Sequence, residues 1–550
     1  MKKIIFIAVF AIFTNLSYAQ LATTGKIDSL KDSWDQVTTY TGEIKNGVPN
    51  GIGVAYYHND NVRYYTGHFV NGKYDGQGTI LFKNGAFLTG EWKNGKMEGQ
   101  GVNYTSSGDL FIGKFSKSIK NGDGVYIYND NGILQGTFKD DKFEGRCVFI
   151  NSDASIISDV VYANGKKNGS GYQYEVNDKK LYEGVWSNGD WQNSGTASYG
   201  SFLKDPGFYG EKTDSHVLMG ITNSDNYLND TGYFYDKENG KRYFGVFRNG
   251  YIKKGVTLRN DSTRFFGTLS DDGADGYCYS FKKGKYFDVG NFSNDFLKGP
   301  NCLSINLDAN TVYYGEVADS GYFTGKAFFT SSAGSMYVGD YKGGKFTGNG
   351  YKITVDGFCI RATWNDGYPS NVVSITDDKG NLLNIKPATI SEAISNVAKT
   401  YKIDFDALYG EESFDFSDDD FDEAYNSNIQ FPGGLKTDYI VEDDDYVPTY
   451  FAPYIIAKNF ASAQTKYNEL CKLVSAAKIS LQKGSAPLAL TGTVKTPVEE
   501  QNTLSVFTPV NDSQLKYFQV GVSIKKLYTG EYLVSIMLGD SLGGAFEKAE

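Results

Sequence analysis

One short segment near the end of the chain carries the residue types of a serine hydrolase. Gly539 to Gly543 reads G-x-S-x-G, the pattern that presents a nucleophilic serine on a sharp turn between a strand and a helix. Ser541 would need a histidine as its general base, and all 3 histidines of the chain lie in its N-terminal half. Only nine residues follow Ser541, too few for the required helix. We therefore expect no catalytic residues and no enzymatic activity.

The histidines and cysteines do not show the spacing of metal ligands. His58 and His68 are ten residues apart and follow the rhythm of neighbouring strands, which predicts surface strand residues; His216 is isolated. No glycine loop is followed by Lys and Ser or Thr, so a nucleotide-phosphate site is not indicated. The sequence predicts no cofactor. The 5 cysteines are scattered and odd in number, which does not suggest a disulfide scaffold: Cys147, Cys278, Cys302, Cys359 and Cys471.

An acidic segment is the remaining candidate for metal chemistry. Residues 411–423, which include Asp415, Asp418 and Asp422, could supply carboxylates to calcium, but they lack the glycine and the ligand spacing of an EF-hand loop. We interpret the segment as part of a solvated acidic linker, and calcium binding stays open as the alternative. We therefore predict no metal ligands.

The charge of the chain is concentrated in that same region. Residues 401–450 contain 15 Asp or Glu and 2 Lys, a balance of −13, whereas the whole chain has a formal net charge of −11. Without Lys2 and Lys3, which belong to a predicted signal peptide, everything outside 401–450 sums to zero. The remaining surface is not basic, which argues against nucleic acid and anionic membranes as partners.

The rest of the 550 residues is organised by glycine. The chain has 64 glycines and 11 prolines, far from the composition of collagen. The glycines recur in a template with an aromatic residue, glycine at +2, Asn-Gly at +6 and +7, and glycines at +11 and +13. The first seven copies start 25, 23, 23, 23, 24 and 24 residues apart, at Tyr40, Tyr65, Leu88, Phe111, Leu134, Ser158 and Tyr182.

Each copy has the pattern of a β-hairpin. Asn-Gly accepts the positive φ angles of a tight type I′ turn, and the flanking residues alternate as strands do. Glycine on a strand marks the close approach of another backbone or ring, so we expect the opening aromatic residue to lie across the bare glycine surface of its neighbour, which would make a ladder of rings over a glycine floor. Because a lone hairpin is unstable, the units must stack, here over roughly 130 Å at two strands per unit.

This pattern, from Tyr40 to Gly101 above all, resembles the MORN (membrane occupation and recognition nexus) repeat. Looser copies continue to a nearly perfect one at Tyr337, and we count about fourteen over residues 40–378, about 60% of the chain. The resemblance implies a scaffold or interaction surface and, in some members, lipid binding. We predict a mainly β fold, an elongated twisted antiparallel sheet of stacked hairpins, and we expect any interruption of the array near residues 199–236.

The register makes a prediction about the cysteines. Cys147 and Cys278 occupy the glycine position at +13 and should be small packed residues. Cys278 and Cys302 lie on equivalent strands of successive units, about 10 Å apart, beyond the roughly 7 Å limit for a disulfide. We expect them to be unpaired.

The period stops near Lys386, and a small α+β domain is predicted from there. One helical face contains Ile390, Ile394, Val397 and Tyr401, and a longer helix is predicted over 455–481, burying Phe460, Tyr467, Leu470, Cys471 and Val474. Strands are predicted over 488–494, 504–508, 518–524 and 532–538. We divide this region into a helix with the acidic linker, 379–450, and a C-terminal domain, 451–550.

The first residues have the features of a secretory signal peptide. Lys2 and Lys3 precede a short apolar stretch, Ile4 to Phe13, and Ser17 and Ala19 are small residues at the positions that a signal peptidase reads. We predict cleavage after residue 19 and a short segment, 20–39, before the array. The protein is expected in the periplasm, the cell envelope or outside the cell.

These observations predict an exported, non-enzymatic scaffold that binds another macromolecule, with a protein partner favoured. Its C-terminal domain would dock, cap or specify that partner. A carbohydrate-binding or enzyme-associated envelope protein is the alternative, with exposed aromatic rings as the platform; Trp92 and Trp186 sit at equivalent places in their repeats. The structural interpretation of those two rings, which we favour, is that they belong to the core of the array. Rows of outward-facing Tyr and Trp would favour sugar, and a polar face would favour protein.

Overall fold

The computed structural model describes residues 23–540 and Leu542, with gaps at 33, 153–154, 176–177, 179, 193–196, 200–207, 226, 271–272, 402–404, 414–422, 436, 444–445, 482–484, 511 and 541. The predicted signal peptide lies outside these residues. The chain divides into two compact units, Met1–Gly344 and Lys345–Glu550. Among the described residues there are two helices, and neither has the length and hydrophobicity needed to span a bilayer.

The first unit begins with a sheet, sheet 1, whose strands follow one another in chain order. All of its strand pairs are antiparallel, and β16 pairs with β14. The strands are β1 (Thr23–Lys31), β2 (Val37–Lys45), β3 (Val48–Tyr57), β4 (Val62–Val70), β5 (Lys73–Phe82), β6 (Phe87–Lys93), β7 (Lys96–Tyr104), β8 (Leu110–Ser116), β9 (Ile119–Ile127), β10 (Ile133–Lys139), β11 (Lys142–Ile150), β12 (Ile156–Ala163), β13 (Lys166–Glu175), β14 (Lys180–Ser187), β15 (Asp190–Trp191) and β16 (Ala197–Tyr199).

The Asn-Gly turns have the predicted geometry. Asn71 and Gly72 have φ angles of 49° and 79°, and Asn94 and Gly95 have φ angles of 49° and 80°, as a type I′ turn requires. Each turn is also bonded to the previous one, since the Gly95 amide donates to the Tyr74 carbonyl over 2.8 Å. Successive hairpins are therefore held in register at their tips as well as along their strands.

The glycine floor and the aromatic ladder are confirmed. The Tyr65 ring lies directly across Gly78, where a β-carbon would overlap it, and Tyr40 lies across Gly53 in the same way. Tyr65 also stacks on Tyr74, with ring centroids 3.7 Å apart and planes 10° apart. The opening ring thus packs within its own hairpin, not on the neighbouring unit as expected, and it lies on a surface that only glycine leaves open.

A second sheet, sheet 2, repeats this arrangement in the first unit. Its twelve strands there are antiparallel and again follow chain order. They are β17 (Phe208–Lys212), β18 (His216–Thr222), β19 (Leu228–Asp236), β20 (Lys241–Arg248), β21 (Tyr251–Leu258), β22 (Thr263–Ser270), β23 (Gly273–Lys282), β24 (Tyr286–Ser293), β25 (Phe296–Asn306), β26 (Thr311–Val317), β27 (Phe323–Thr330) and β28 (Met336–Lys342).

Sheets 1 and 2 pack face to face. The Tyr64 hydroxyl of β4 donates to the Asn310 carbonyl over 2.8 Å, and further along sheet 1 the ring of Phe87 lies 4.9 Å from that of Phe287. Still later in sheet 1, the Asn129 carbonyl accepts from Arg264, which is 5% exposed. Because later strands of sheet 1 meet earlier strands of sheet 2, the array folds back on itself.

The repeat architecture is therefore as predicted, but the array is divided between two sheets. The division falls between β16 and β17, inside the stretch 199–236 where an interruption was expected. The length of about 130 Å assumed one continuous sheet and does not apply. The reason is physical: strands such as β4 and β6 carry apolar residues on a second face, here Tyr64 and Phe87, and the fold-back buries them against the other sheet.

The second unit contains four more strands in chain order and a third sheet. The four are β29 (Lys345–Ile353), β30 (Cys359–Asn365), β31 (Tyr368–Thr376) and β32 (Leu382–Leu383). The third sheet contains β33 (Tyr409–Glu412), β34 (Glu423–Ser427), β35 (Tyr439–Asp443), β36 (Tyr446–Ala457), β37 (Lys478–Ile479), β38 (Leu488–Gly492), β39 (Thr503–Pro509), β40 (Phe518–Lys526) and β41 (Tyr532–Asp540). Its strand order is β33-β34-β35-β36-β41-β40-β39-β38-β37.

Two helices accompany this sheet. Helix α1 (Ile390–Thr400) is capped by Thr389, and helix α2 (Phe460–Ala476), capped by Asn459, packs on β40 and β41. Tyr467, Leu470, Cys471 and Val474 of α2 are buried as predicted, whereas Phe460 is only half-buried. The helix is shorter than predicted, because Ile455 belongs to strand β36.

The region interpreted as an acidic linker is largely built into the third sheet. Strands β33, β34 and β35 and the start of β36 all lie within residues 401–450. The linker interpretation was wrong for these strands, because apolar residues among the charged ones are buried: Ile440 and Tyr450, which pair across β35 and β36, are both fully buried. The core of the cluster, residues 414–422, lies outside the described residues.

Candidate functional site

The residues singled out by sequence do not form a catalytic site in the described part of the chain. Ser541 and Gly543 lie outside the described residues, while Leu542 is fully buried and its amide donates to the Gln519 side chain. His58 is exposed beside Thr39, with 2.7 Å between Nε2 and the hydroxyl, and His216 lies beside Thr213. The described residues contain no group of three or more His, Cys, Asp or Glu placed to hold a metal.

The tryptophans and cysteines have structural roles. Trp92 and Trp186 are each 3% exposed, and Trp92 Nε1 donates to the Gly78 carbonyl over 2.9 Å, so both rings belong to the core of sheet 1. All five cysteines are buried, and Cys278 and Cys302 form no disulfide, as predicted. Cys278 faces Gly267 and Gly290 across its two neighbouring strands, which confirms it as a small packed residue.

A row of exposed aromatic side chains lies along one edge of sheet 2, and we call it the aromatic edge. Each of its members comes directly after a hairpin turn, where the second strand begins. Its members are Tyr227, Tyr251, Phe296 and Tyr322, with exposed fractions of 57%, 54%, 70% and 61%. Since the turns between paired strands all lie at the same end of the hairpins, these four rings share one side of the sheet.

The neighbouring hairpin supports two of these rings. Tyr227 packs beside Gly250, where a β-carbon would come within 3.2 Å of the ring, and Tyr322 lies beside Gly344 at 3.9 Å by the same measure. The Lys253 ammonium lies 5.7 Å from the centre of the Tyr251 ring. The rings are therefore held in place while most of their surface stays in water, which is the arrangement of an aromatic anchor at an interface.

The corresponding edge of sheet 1 is different. The apolar residues at its tips are the aliphatic Val48, Val70 and Ile119, exposed to 40%, 46% and 38%. Two sheets built from the same repeat thus differ in the size and chemistry of what they expose. Sequence reasoning missed this contrast, although a signal existed: Tyr251 directly follows Asn249-Gly250, and a residue at a turn is seldom buried.

A cleft opens between sheets 1 and 2 of the first unit, and we call it the intersheet cleft. It has a volume of about 290 Å³, and its apolar floor is made by Ile52, Tyr314 and Phe328, all less than 9% exposed. Its polar lining includes His68 and Glu316. Burial lowers the pKa of His68, with a smaller opposing effect of the Glu43 carboxylate, so the imidazole is neutral at pH 7.

Two carboxyl groups elsewhere have raised pKa values. Burial raises the pKa of Asp438 in the second unit to about 7, although the Phe431 amide and the Tyr450 hydroxyl both donate to it. Burial likewise raises the pKa of Asp288 in sheet 2 to about 6, against the effect of the Ser304 hydroxyl that donates to it. Asp438 is 1% exposed and Asp288 is half-buried, and we interpret both as structural groups.

Comparison with known proteins identifies the repeat. Six segments of the chain match the MORN repeat family: residues 40–62, 65–87, 89–109, 111–133, 135–155 and 337–357. The chain therefore contains MORN repeats, as the sequence pattern predicted. The hairpins of sheet 2 continue the architecture through the stretch between the fifth and sixth matches.

The other comparisons are distant. The chain is similar to the SAS-4 TCP domain of Drosophila melanogaster, in complex with a proline-rich motif of Ana2, at 10% identity, covering 45% of this chain and 88% of that one, with a TM-score of 0.10. It is also similar to the extracellular domain of a putative hybrid two-component system from B. thetaiotaomicron, at 10% identity over 96% and 82% of the chains, with a TM-score of 0.11. No curated protein matches the chain.

Proposed function

We propose that this chain is an exported, non-enzymatic MORN-repeat scaffold that binds a protein partner through the aromatic edge. The observation that carries the proposal is the row formed by Tyr227, Tyr251, Phe296 and Tyr322, which are more than half exposed while the ladder rings of the array are buried. Aromatic residues dominate the binding energy of protein interfaces, since a large rigid ring buries much apolar surface with little loss of entropy.

The repeat supplies the rigidity that such an interface needs. Each tip is bonded to the tip before it, as the Gly250 amide shows by donating to the Leu228 carbonyl over 2.8 Å. An aromatic residue on each of several tips is then held at a spacing set by the strands, about 10 Å per hairpin. A partner with apolar pockets at matching intervals would be bound at several points at once. The pattern of residues 1–19 supports export.

The experiment is site-specific photocrosslinking in cells that produce the full chain. A photoreactive phenylalanine analogue at Phe296 is expected to give one discrete protein adduct. The triple variant Tyr251→Ser, Phe296→Ser, Tyr322→Ser should lose co-purification of that same protein. The matched control changes the tips of sheet 1 instead, Val48→Ser, Val70→Ser and Ile119→Ser, and should retain it. Equal retention by both triple variants would contradict the proposal.

Carbohydrate is the second candidate, because the same row of exposed tyrosines could stack on sugar rings. It predicts that the chain is retained on cell-wall polysaccharide and that no protein adduct forms at Phe296. The same two triple variants separate the candidates: under this alternative, retention on polysaccharide is lost from the sheet 2 variant alone. Phe296, the most exposed ring at 70%, has no hydroxyl to bond to a sugar, which favours protein.

A further inference from the structure

We propose that the intersheet cleft is a binding site for a small organic cation, an ammonium group on an apolar body. The site is separate from the aromatic edge, and it adds a small-molecule function to a scaffold. Its walls come from both sheets: Ile52 and His68 from sheet 1, and Tyr314, Glu316, Lys326 and Phe328 from sheet 2. The cleft therefore forms only when the array has folded back on itself.

The floor of the cleft selects an apolar group. Ile52, Tyr314 and Phe328 are exposed to 6%, 4% and 4%, so their surfaces face into the cleft or into the protein. Tyr314 is fixed by its hydroxyl, which bonds to the Thr79 hydroxyl of the other sheet. At about 290 Å³ the cleft has the volume of roughly ten water molecules, enough for a ring of six atoms with a short substituent.

The charges at the cleft select a cation. Lys326 forms an ion pair with Asp340 over 3.1 Å, so the positive charge of this lysine is balanced by the aspartate. His68 is neutral for the reason given above. Glu316, which is exposed and lines the cleft, has no ion pair among the described residues. The balance of these groups is negative, which favours an ammonium near Glu316.

The position of Glu316 is set by the repeat. It stands at +3 in its unit, after Tyr313 and Gly315, and its side chain lies over Gly325 of the next strand, where a β-carbon would overlap the carboxylate. Glu91 occupies the same position in a repeat of sheet 1, over Gly99, but it does not line the cleft. The chain therefore contains its own control, a glutamate with the same local support outside the site.

Benzylamine is a suitable probe, with benzoate and benzyl alcohol as partners of the same size and different charge. Calorimetric titration of the full chain should give a dissociation constant for benzylamine near the millimolar range, as expected for eight heavy atoms, and at least tenfold weaker binding of benzoate. Glu316→Gln should weaken benzylamine binding at least tenfold. Glu91→Gln should leave it unchanged.

A second measurement does not depend on any variant. The chain has only 3 histidines, so the imidazole signals of His68 can be followed by NMR with His58 and His216 as internal references. Benzylamine should shift the His68 signals alone. The proposal is overturned if His68 does not respond to tens of millimolar benzylamine, if benzoate binds equally well, or if Glu316→Gln binds as tightly as the wild type. None of these results depends on whether the aromatic edge binds a protein.

Discussion

The repeat array and the C-terminal sheet are both antiparallel, yet they bring together residues at very different distances along the chain. In sheet 1 each strand from β1 to β15 pairs with the next in chain order, and Tyr65 covers a glycine only thirteen residues away. In the third sheet, β36 pairs with β41, so that Tyr450 faces Leu538. One region is assembled from local contacts that repeat, and the other from distant contacts that occur once.

This difference has consequences for stability. Within each sheet of the array a unit contacts mainly its neighbours, and the facing sheet adds contacts such as that of Tyr64 with Asn310, so the energy of unfolding is close to a sum of unit and interface terms. In the C-terminal sheet the core is shared: the Tyr467 hydroxyl of α2 lies 2.5 Å from that of Ser505, 38 residues later, and α2 packs on β40 and β41. We therefore expect a destabilising mutation to cause local unfolding in the array and cooperative unfolding in the C-terminal sheet.

The largest expected effects come from removing one buried ring in each region. Tyr65→Ala and Tyr467→Ala both empty a fully buried site, and each should destabilise its region by about 3–5 kcal/mol. Hydrogen exchange with mass spectrometry should show loss of protection limited to β3–β6 and the strands facing them for Tyr65→Ala. For Tyr467→Ala it should extend over the whole third sheet. Equal footprints would refute the contrast.

The two carboxyl groups with raised pKa values should make the stability of the protein fall as the pH rises, whereas an acid whose pKa is lowered by folding has the opposite effect. The raised pKa of Asp438, about 7, means that the folded protein holds a proton that the unfolded chain releases between about pH 4 and pH 7. Stability should fall as pH rises through that window, by up to about 4 kcal/mol. Asp438→Asn should abolish this part of the pH dependence, measured by hydrogen exchange of β36.

Asp288 provides the comparison in the array. Its pKa of about 6 gives the same sign, but the loss of stability should be complete at lower pH and smaller. The difference between wild type and Asp288→Asn, followed in β24 and β25, should therefore be flat above about pH 6. If both variants keep the pH profile of the wild type, the two acids are not the groups that oppose folding.

Gly78 of the array should be less replaceable than Gly521 of the C-terminal sheet. Gly78→Ala places a methyl group against the Tyr65 ring, which cannot move without disturbing the ladder, and should destabilise by about 1–3 kcal/mol. Gly521 of β40 would meet the end of the Leu504 side chain at 2.8 Å, a group that can change rotamer. Thermal unfolding should show a smaller effect for Gly521→Ala, and the reverse order would contradict this explanation.

The smallest effect on stability is expected at the aromatic edge. Phe296 is 70% exposed, so Phe296→Ser should change the free energy of unfolding by no more than about 0.5 kcal/mol. Loss of partner binding at unchanged stability would identify the ring as an interface residue. A loss of more than 1 kcal/mol in chemical denaturation would instead place it in the core, and the edge would lose its role.

The repeat could be predicted in detail because its signals are local. Asn71-Gly72 specifies its own turn, and Tyr65 packs on Gly78 of the same hairpin. The same local signals recur in many repeats of the array. In the C-terminal region the strands β38 to β41 were predicted from alternation, with close bounds. Strands β33 to β35 were missed, because they are short and acidic and show no alternation: the adjacent residues Ile440 and Val441 are both buried.

The two candidate sites show the limit of this reasoning. The aromatic edge depends on which tips carry rings, and the order of residues at the turns contained that information. The intersheet cleft depends on Ile52 and Phe328 lining one cavity, although they come from different sheets and no period relates them. His68 was interpreted as a surface strand residue, since its own strand cannot reveal that another sheet lies across it.

The sequence by itself determined the unit of this protein: the hairpin, its turn, its glycine floor and the ring that covers the floor. These follow from steric rules and contacts that span fewer than about fifteen residues. Only the tertiary structure decided that the array folds back, that Tyr64 and Phe87 pack against a second sheet, and that a cleft remains between the layers. The reason is that burial of a second apolar face depends on the surface it meets, and that surface is encoded more than a hundred residues away.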